Sequence, residues 1–283
     1  MSPITFAFRT GARRGGIELR QTLTNAMDLW GYLFPVVILV VVLLFMQGST
    51  VPGTSFSLGA TAMLGILGMQ VATSGLMTVA QLLVVEREDG TLLRAKAIPN
   101  GMTGYLVGKV ILTCGMTVIS VVLILIPGLL LFDGFATGLG AWLTLLWVVL
   151  LGLVATIPLG ATFGSLFPSP RSMGMGMFFP IMGLVAISGI FYPITALPEW
   201  LQWIGQVFPI YWLGLGMRSA MLPDAMAAVE IGDSWRHLET VGVLGAWAVI
   251  GLLVAPVVLR RMARRESGSS VAARREKAMQ RVG

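Results

Sequence analysis

Of the 283 residues, 56% are hydrophobic and 11% charged, and the mean hydropathy is +0.86. A soluble domain carries about 25% charged residues, so this chain lacks the polar surface to cover a water-soluble core and reads as an integral membrane protein. The net charge of +6 is accounted for by residues 260–283, where eight Lys/Arg face two Glu. A basic run directly after a span suits anionic lipid heads, and no nucleic-acid partner is expected.

In chain order, residues 1–28 form a cytoplasmic segment. Leu19, Leu23, Ala26, Met27 and Trp30 recur on one helical face, and Gln21, Thr24, Asn25 and Asp28 take the other. That pattern predicts an amphipathic helix lying in the membrane interface. The first thirty residues hold no apolar core of a cleavable signal. Six apolar runs follow, at 29–46, 56–85, 110–132, 141–166, 172–197 and 240–259. A helix of about 20 apolar residues crosses the hydrocarbon layer, so residues 29–259 read as a six-span domain. Residues 260–283 read as a basic cytoplasmic tail. Turn residues at 47–55 and the prolines of Phe167-Pro-Ser-Pro-Arg171 separate neighbouring runs.

Alternate loops divide the basic residues seventeen to two, with only Arg218 and Arg236 on the poorer side. Cytoplasmic loops carry the Lys/Arg excess, which places both termini in the cytoplasm.

The six runs contain no charged residue. Proton relays and voltage sensors need ionisable groups in mid-membrane, so neither is expected. No HExxH or GxSxG motif is present, His237 falls in an outer loop, and Cys114 is the single cysteine. No catalytic residue and no metal site is therefore assigned. Sodium coupling through backbone carbonyls stays open as an ion-coupled carrier. Gly104-Tyr-Leu-Val-Gly108-Lys109-Val110 imitates a phosphate-binding loop, but it has three residues between its glycines and valine where Ser/Thr must hold magnesium. It reads instead as small-residue helix packing, with Lys109 snorkelling to the interface.

The loop between spans two and three is Glu86-Arg-Glu-Asp-Gly-Thr-Leu92 followed by Pro99. Gly90 permits a sharp turn, and Asp89 or Thr91 can cap a short helix presenting Leu92, Leu93, Ile98, Arg94 and Lys96 to a soluble partner. An ordinary charged loop is the plainer alternative. After span five come Ser188-Gly-Ile-Phe-Tyr-Pro193, Leu197-Pro-Glu-Trp-Leu201, Phe208-Pro-Ile-Tyr211 and Met217-Arg218.

Together these two segments, on a six-span frame, resemble the permeases of ABC-2 type transporters, with the drug-exporter branch of daunorubicin-type efflux permeases the nearest likeness. The resemblance implies an exporter of an amphipathic or hydrophobic compound, with lipid or polysaccharide export on the same frame as the alternative. It implies a homodimer or heterodimer of permease copies in the bacterial cytoplasmic membrane. Two copies of a separately encoded ABC ATPase would bind ATP and Mg, leaving this chain without a cofactor. Carried onto this sequence, ATPase coupling falls on Glu86, Arg87, Gly90, Thr91 and Arg94. An outer gate of short re-entrant helices falls on Phe191, Tyr192, Pro193, Trp200 and Tyr211. Trp203 and Trp212 are expected at the membrane interface with Trp200 and Tyr211, and Arg218 in a structural pairing at the outer rim.

Span two carries Gln70, Thr73, Ser74, Met77, Thr78 and Gln81 on one face. Lipid cannot satisfy such a stripe, so it either packs on a neighbouring helix or lines a pathway. Span five holds Met173, Met175, Met177 and Met182, of which Met177 is counted with the pathway; thioethers suit an adaptable apolar surface.

Overall fold

The computed structural model describes residues 3–265. It is an all-α membrane protein, and among the described residues the strand-like pairing is confined to one isolated bridge, Thr50 to Ser57. Helix α1 (Pro3–Thr24) and α2 (Ala26–Met46) divide at Asn25, whose Oδ1 accepts the Met27 N–H at 3.0 Å. Asparagine is a strong N-cap, so the interfacial helix stops at Thr24. Ala26, Met27, Asp28 and Trp30, expected on it, open the first span instead. Asp28 sits in the first turn of α2, where the helix dipole favours an acid.

Span two is continuous from Leu58 to Glu88 but is built as α3 (Leu58–Thr73), one π turn (Ser74–Thr78) and α4 (Val79–Glu88). A short helix α5 (Thr91–Lys96) follows. Helix α6 (Gly101–Leu131) starts nine residues before the apolar run at 110, so Lys109 belongs to a helix and not to a loop. Helix α7 (Leu139–Leu166) forms the fourth span.

Helix α8 (Pro170–Ala186) starts at a capping box in which the Ser169 and Ser172 hydroxyls each accept the other's backbone N–H. It ends eleven residues short of 197, because Gly189 turns the chain at φ 61° and Pro193 bars a helical continuation. Seventeen residues rise about 25 Å, below the length of an ordinary span. Among the described residues five other helices are long and apolar enough to cross: α2, the α3–α4 composite, α6, α7 and α11 (His237–Arg265). Between α8 and α11 lie α9 (Glu199–Val207) and α10 (Pro209–Met221) with short 3-10 segments. The tail beyond residue 265 lies outside the described residues.

Small residues set the packing. Helix α1 lies on α6, with Gly11 and Gly15 against Gly104 and Gly108; a methyl on Gly15 would come 2.5 Å from the Gly108 carbonyl oxygen. Both helices thus carry a small-xxx-small stripe that brings backbones together, as expected for Gly104 and Gly108. The π turn is seated the same way, Gly75 against Thr156 and Gly160 against the Gly75 carbonyl. Helix α10 runs through the core, packed on α3 and α7, with every residue from Pro209 to Arg218 buried. In its most apolar 18-residue stretch span two has 72% of its residues buried, whereas α2 has 12% and α11 22%. Span two is therefore the central helix, and α2 and α11 face outward.

Candidate functional site

At the basic end of the bundle, α4 brings Glu86 under α6. The Lys109 ammonium donates to Glu86 and, at 2.7 Å, to Glu18 of α1; Arg14 Nε donates to the other Glu18 oxygen at 2.7 Å. The Tyr105 ring lies 5.6 Å from the Lys109 nitrogen and 5.8 Å from the Arg14 guanidinium, within cation–π range. Lys109 is 5% exposed. It does not snorkel, because α1 covers its face of α6 and supplies a carboxylate there. Burial pushes the Glu18 carboxyl upward, but the Lys109 and Arg14 donors outweigh it and hold the group below its ordinary value. The sequence reading did not connect Arg14, Glu18 and Tyr105. The matched spacing Gly11/Gly15 and Gly104/Gly108 was the available signal, since it sets α1 on α6 with Glu18 beside Lys109.

Arg87, next along α4, donates to the Phe167 carbonyl at 3.3 Å, just past the end of α7. Gly90 adopts φ 82°, so the expected turn forms, but Gly90 itself holds the N-cap position of α5; Asp89, expected as a cap, sits one residue earlier, where its Oδ1 accepts the Thr91 N–H at 2.7 Å. The docking face is narrower than expected. Leu92 is 1% exposed and points into the core, while Ile98 and Arg94 remain outside. Arg94 Nη2 donates to Thr91 Oγ1 at 2.9 Å, and Lys96 Nζ to the Ala263 carbonyl at 2.8 Å. Glu86, Arg87, Gly90, Thr91 and Arg94 thus lie on one continuous elbow, in which Glu86 and Arg87 tie it to the bundle and Arg94 faces outward.

The polar face of span two is only partly enclosed. Gln70, Thr73, Met77 and Thr78 are half-buried and Gln81 is exposed, whereas Ser74 is buried and accepts from Gln70 Nε2 at 3.4 Å. Thr78 and Gln81 border a recess of about 500 Å³ shared with Thr22, Met27 and Asp28. Met177 is elsewhere: it is buried on α8 and lines a separate apolar cavity of about 530 Å³ with Leu76, Phe163, Ile181, Ile210 and Trp247. The six residues of the stripe come together, and Met177 does not join them. The π turn, unseen in the sequence, underlies Ser74, Met77 and Thr78; such turns recur at functional sites.

At the opposite end, Phe191, Tyr192 and Pro193 are half-buried, and the Tyr192 hydroxyl donates to the Ala186 carbonyl. Trp200 and Trp203 are 63% and 70% exposed, as interface aromatics should be. Tyr211 and Trp212, expected beside them, are buried, because α10 re-enters the core; Trp212 Nε1 donates to the Gln206 carbonyl at 2.6 Å. Arg218 is 1% exposed and forms a two-point pair with Glu230 at 2.6 and 3.2 Å, with a third bond to the Gly189 carbonyl at 3.1 Å. The expected pairing of Arg218 with an acid or carbonyl is met by both. Arg236 stands 4.7 Å over the Trp212 ring and donates to Gln206 Oε1 at 2.7 Å.

Long apolar helices, a charged helical elbow after span two and short helices packed between α8 and α11 define a multi-pass membrane protein built around one central helix. Residues 52–257 match the model of the ABC-2 family transporter protein, and the chain belongs to that family. No curated protein sequence matches the chain. Membership makes it the membrane permease of an ABC transporter, a class of transport subunit that works with ABC ATPase partners.

Proposed function

We propose that this permease, paired with a second copy and driven by two ABC ATPase subunits, exports an amphipathic, drug-like compound from the cytoplasm or inner leaflet. The observation carrying this reading is the accessible face of span two. Most of that helix is enclosed, and its partly open side bears Gln70, Thr73, Met77, Thr78 and Gln81, continuing to Val85 at the elbow end. Lipid cannot satisfy such a face, so a partner copy or a water-filled route must meet it. Alternating amide, hydroxyl and thioether groups suit a molecule with both polar and apolar parts. The elbow from Glu86 to Arg94 is the route by which nucleotide-driven motion reaches span two, with Phe191, Tyr192, Pro193 and Trp200 closing the far end. Both termini lie in the cytoplasm on the seventeen-to-two division of basic residues, in a bacterial cytoplasmic membrane.

The test is transport in inside-out vesicles holding this chain and its ATPase, with a fluorescent amphipathic cation as probe. ATP-dependent accumulation that falls several-fold in Gln70→Leu and Gln81→Leu supports the reading. Accumulation driven by an ion gradient alone, without the ATPase, overturns it.

A further inference from the structure

A third crevice lies between α6, α7 and α11 at the basic end of the bundle. It encloses about 360 Å³, within the usual range of ligand pockets, and its walls include Leu106, Ile157, Ala161, Ala255 and Leu259. Pro158 of α7 and Pro256 of α11 both line it, each inside its helix, where proline removes a backbone bond and bends the axis. A methyl on Gly251 would come 3.0 Å from the Pro158 Cβ, so the two helices pack closely at one end of the crevice. The walls are apolar except at the mouth, where Arg260 and Thr103 are exposed. Arg261 and Arg264 are exposed at the same helix end. No acidic residue lines the crevice, and Arg260 makes no ion pair among the described residues.

We infer that this crevice is a binding site for an anionic phospholipid, with one acyl chain between α6, α7 and α11 and the headgroup phosphate on Arg260 and the Thr103 hydroxyl. An apolar slot capped by unpaired positive charge is complementary to that molecule from end to end. A zwitterionic lipid also brings a phosphate, but its own cation already compensates that charge and is repelled by Arg260, Arg261 and Arg264, while a free anion leaves the slot unfilled. Guanidinium groups bind phosphate through paired N–H donors, and basic pockets between spans recognise acidic headgroups. The site borders the elbow, because Lys96 of α5 is bonded to the Ala263 carbonyl on the same turn of α11. It does not depend on the cargo assigned above.

The experiment uses the purified full chain in nanodiscs containing equal amounts of phosphatidylglycerol and phosphatidylcholine, released and weighed by native mass spectrometry. The wild type retains phosphatidylglycerol in preference. Arg260→Gln, an exposed substitution that leaves the packing untouched, lowers that preference roughly fivefold, the effect of one basic side chain at a membrane surface. Ala161→Trp fills the slot and removes retention of both lipids, with circular dichroism confirming the fold. Equal retention of the two lipids by the wild type, or a preference unchanged in Arg260→Gln, overturns the proposal. So does a disulfide between Leu252→Cys residues of two copies, which would show the crevice covered by protein.

Discussion

Lys109 of α6 donates to Glu18 of α1 at 2.7 Å, and the same ammonium also meets Glu86 at the end of span two. One cation therefore joins the interfacial helix, the third span and the elbow. Removing one partner of a buried ion pair costs about 3–5 kcal/mol, because the remaining charge is left without compensation. Lys109→Met should accordingly lower the melting temperature sharply in detergent. Adding Glu18→Gln and Glu86→Gln should recover most of the loss. If the triple variant melts no higher than Lys109→Met, charge compensation is not what holds these helices.

The Glu18 carboxyl supplies a pH signature. Its folded value lies below the ordinary 4.5, since the Lys109 and Arg14 donors outweigh burial. A depressed folded value means that the stabilisation is fully present above the unfolded value and is lost as pH falls through the folded one. The melting-temperature gap between wild type and Glu18→Gln should stay constant from neutral pH down to about 5 and close in more acid solution. A gap that widens on acidification would contradict this linkage.

Arg94 separates coupling from folding. It is exposed and bonded to Thr91, one turn back on its own helix, so Arg94→Ala should melt within about 0.5 kcal/mol of wild type, as surface substitutions do. Transport per ATP hydrolysed should nevertheless fall several-fold. Glu86→Ala should lose coupling and stability together, because it also strips a partner from Lys109. Full transport in Arg94→Ala, at unchanged ATPase activity, would remove α5 from the coupling route.

The all-α class, the turn at Gly90 and the polar face of span two were legible because each is a local pattern: apolar length, positive φ, helical spacing. What escaped depends on which helices touch. Lys109 reads as a snorkelling residue until α1 is laid on α6. Tyr211 and Trp212 have the composition of an interface belt, yet α10 is buried in the core, and nothing within Phe208-Pro-Ile-Tyr211 shows how deeply that short helix sits. Span five carries enough apolar residues for a full crossing, but Gly189 and Pro193 divert the last eleven into the cap. The π turn left no trace, since its residues suit an ordinary helix and only the seating of Gly75 on α7 reveals it.

Arg218 and Glu230 lock the far end. Both are nearly inaccessible, at 1% and 4%, and Arg218 also holds the Gly189 carbonyl where the chain leaves α8. Arg218→Ala should cost about 3–5 kcal/mol by stranding the Glu230 carboxylate. Arg218→Lys should remain deficient, because a single ammonium cannot reproduce the forked pair. Arg218→Met combined with Glu230→Gln should recover part of the loss. These outcomes are read from thermal unfolding and from the cross-linking yield between cysteines placed at Ser188 and Val229.

Gly15 and Gly16 adjoin on α1 but point about 100° apart, which makes them a matched test of helix contact. A methyl at Gly15 would sit 2.5 Å from the Gly108 carbonyl oxygen, whereas nothing lies within 4 Å of one at Gly16. Overpacking of this kind costs about 1–3 kcal/mol, so Gly15→Ala should push α1 off α6, weaken the Glu18 to Lys109 bond and lower the melting temperature. Gly16→Ala should do the reverse. With free space around it, the substitution keeps only the helix-propensity gain of alanine over glycine, about 0.8–1 kcal/mol. Equal effects of the two changes would mean that α1 is not seated on Gly104 and Gly108 in the membrane.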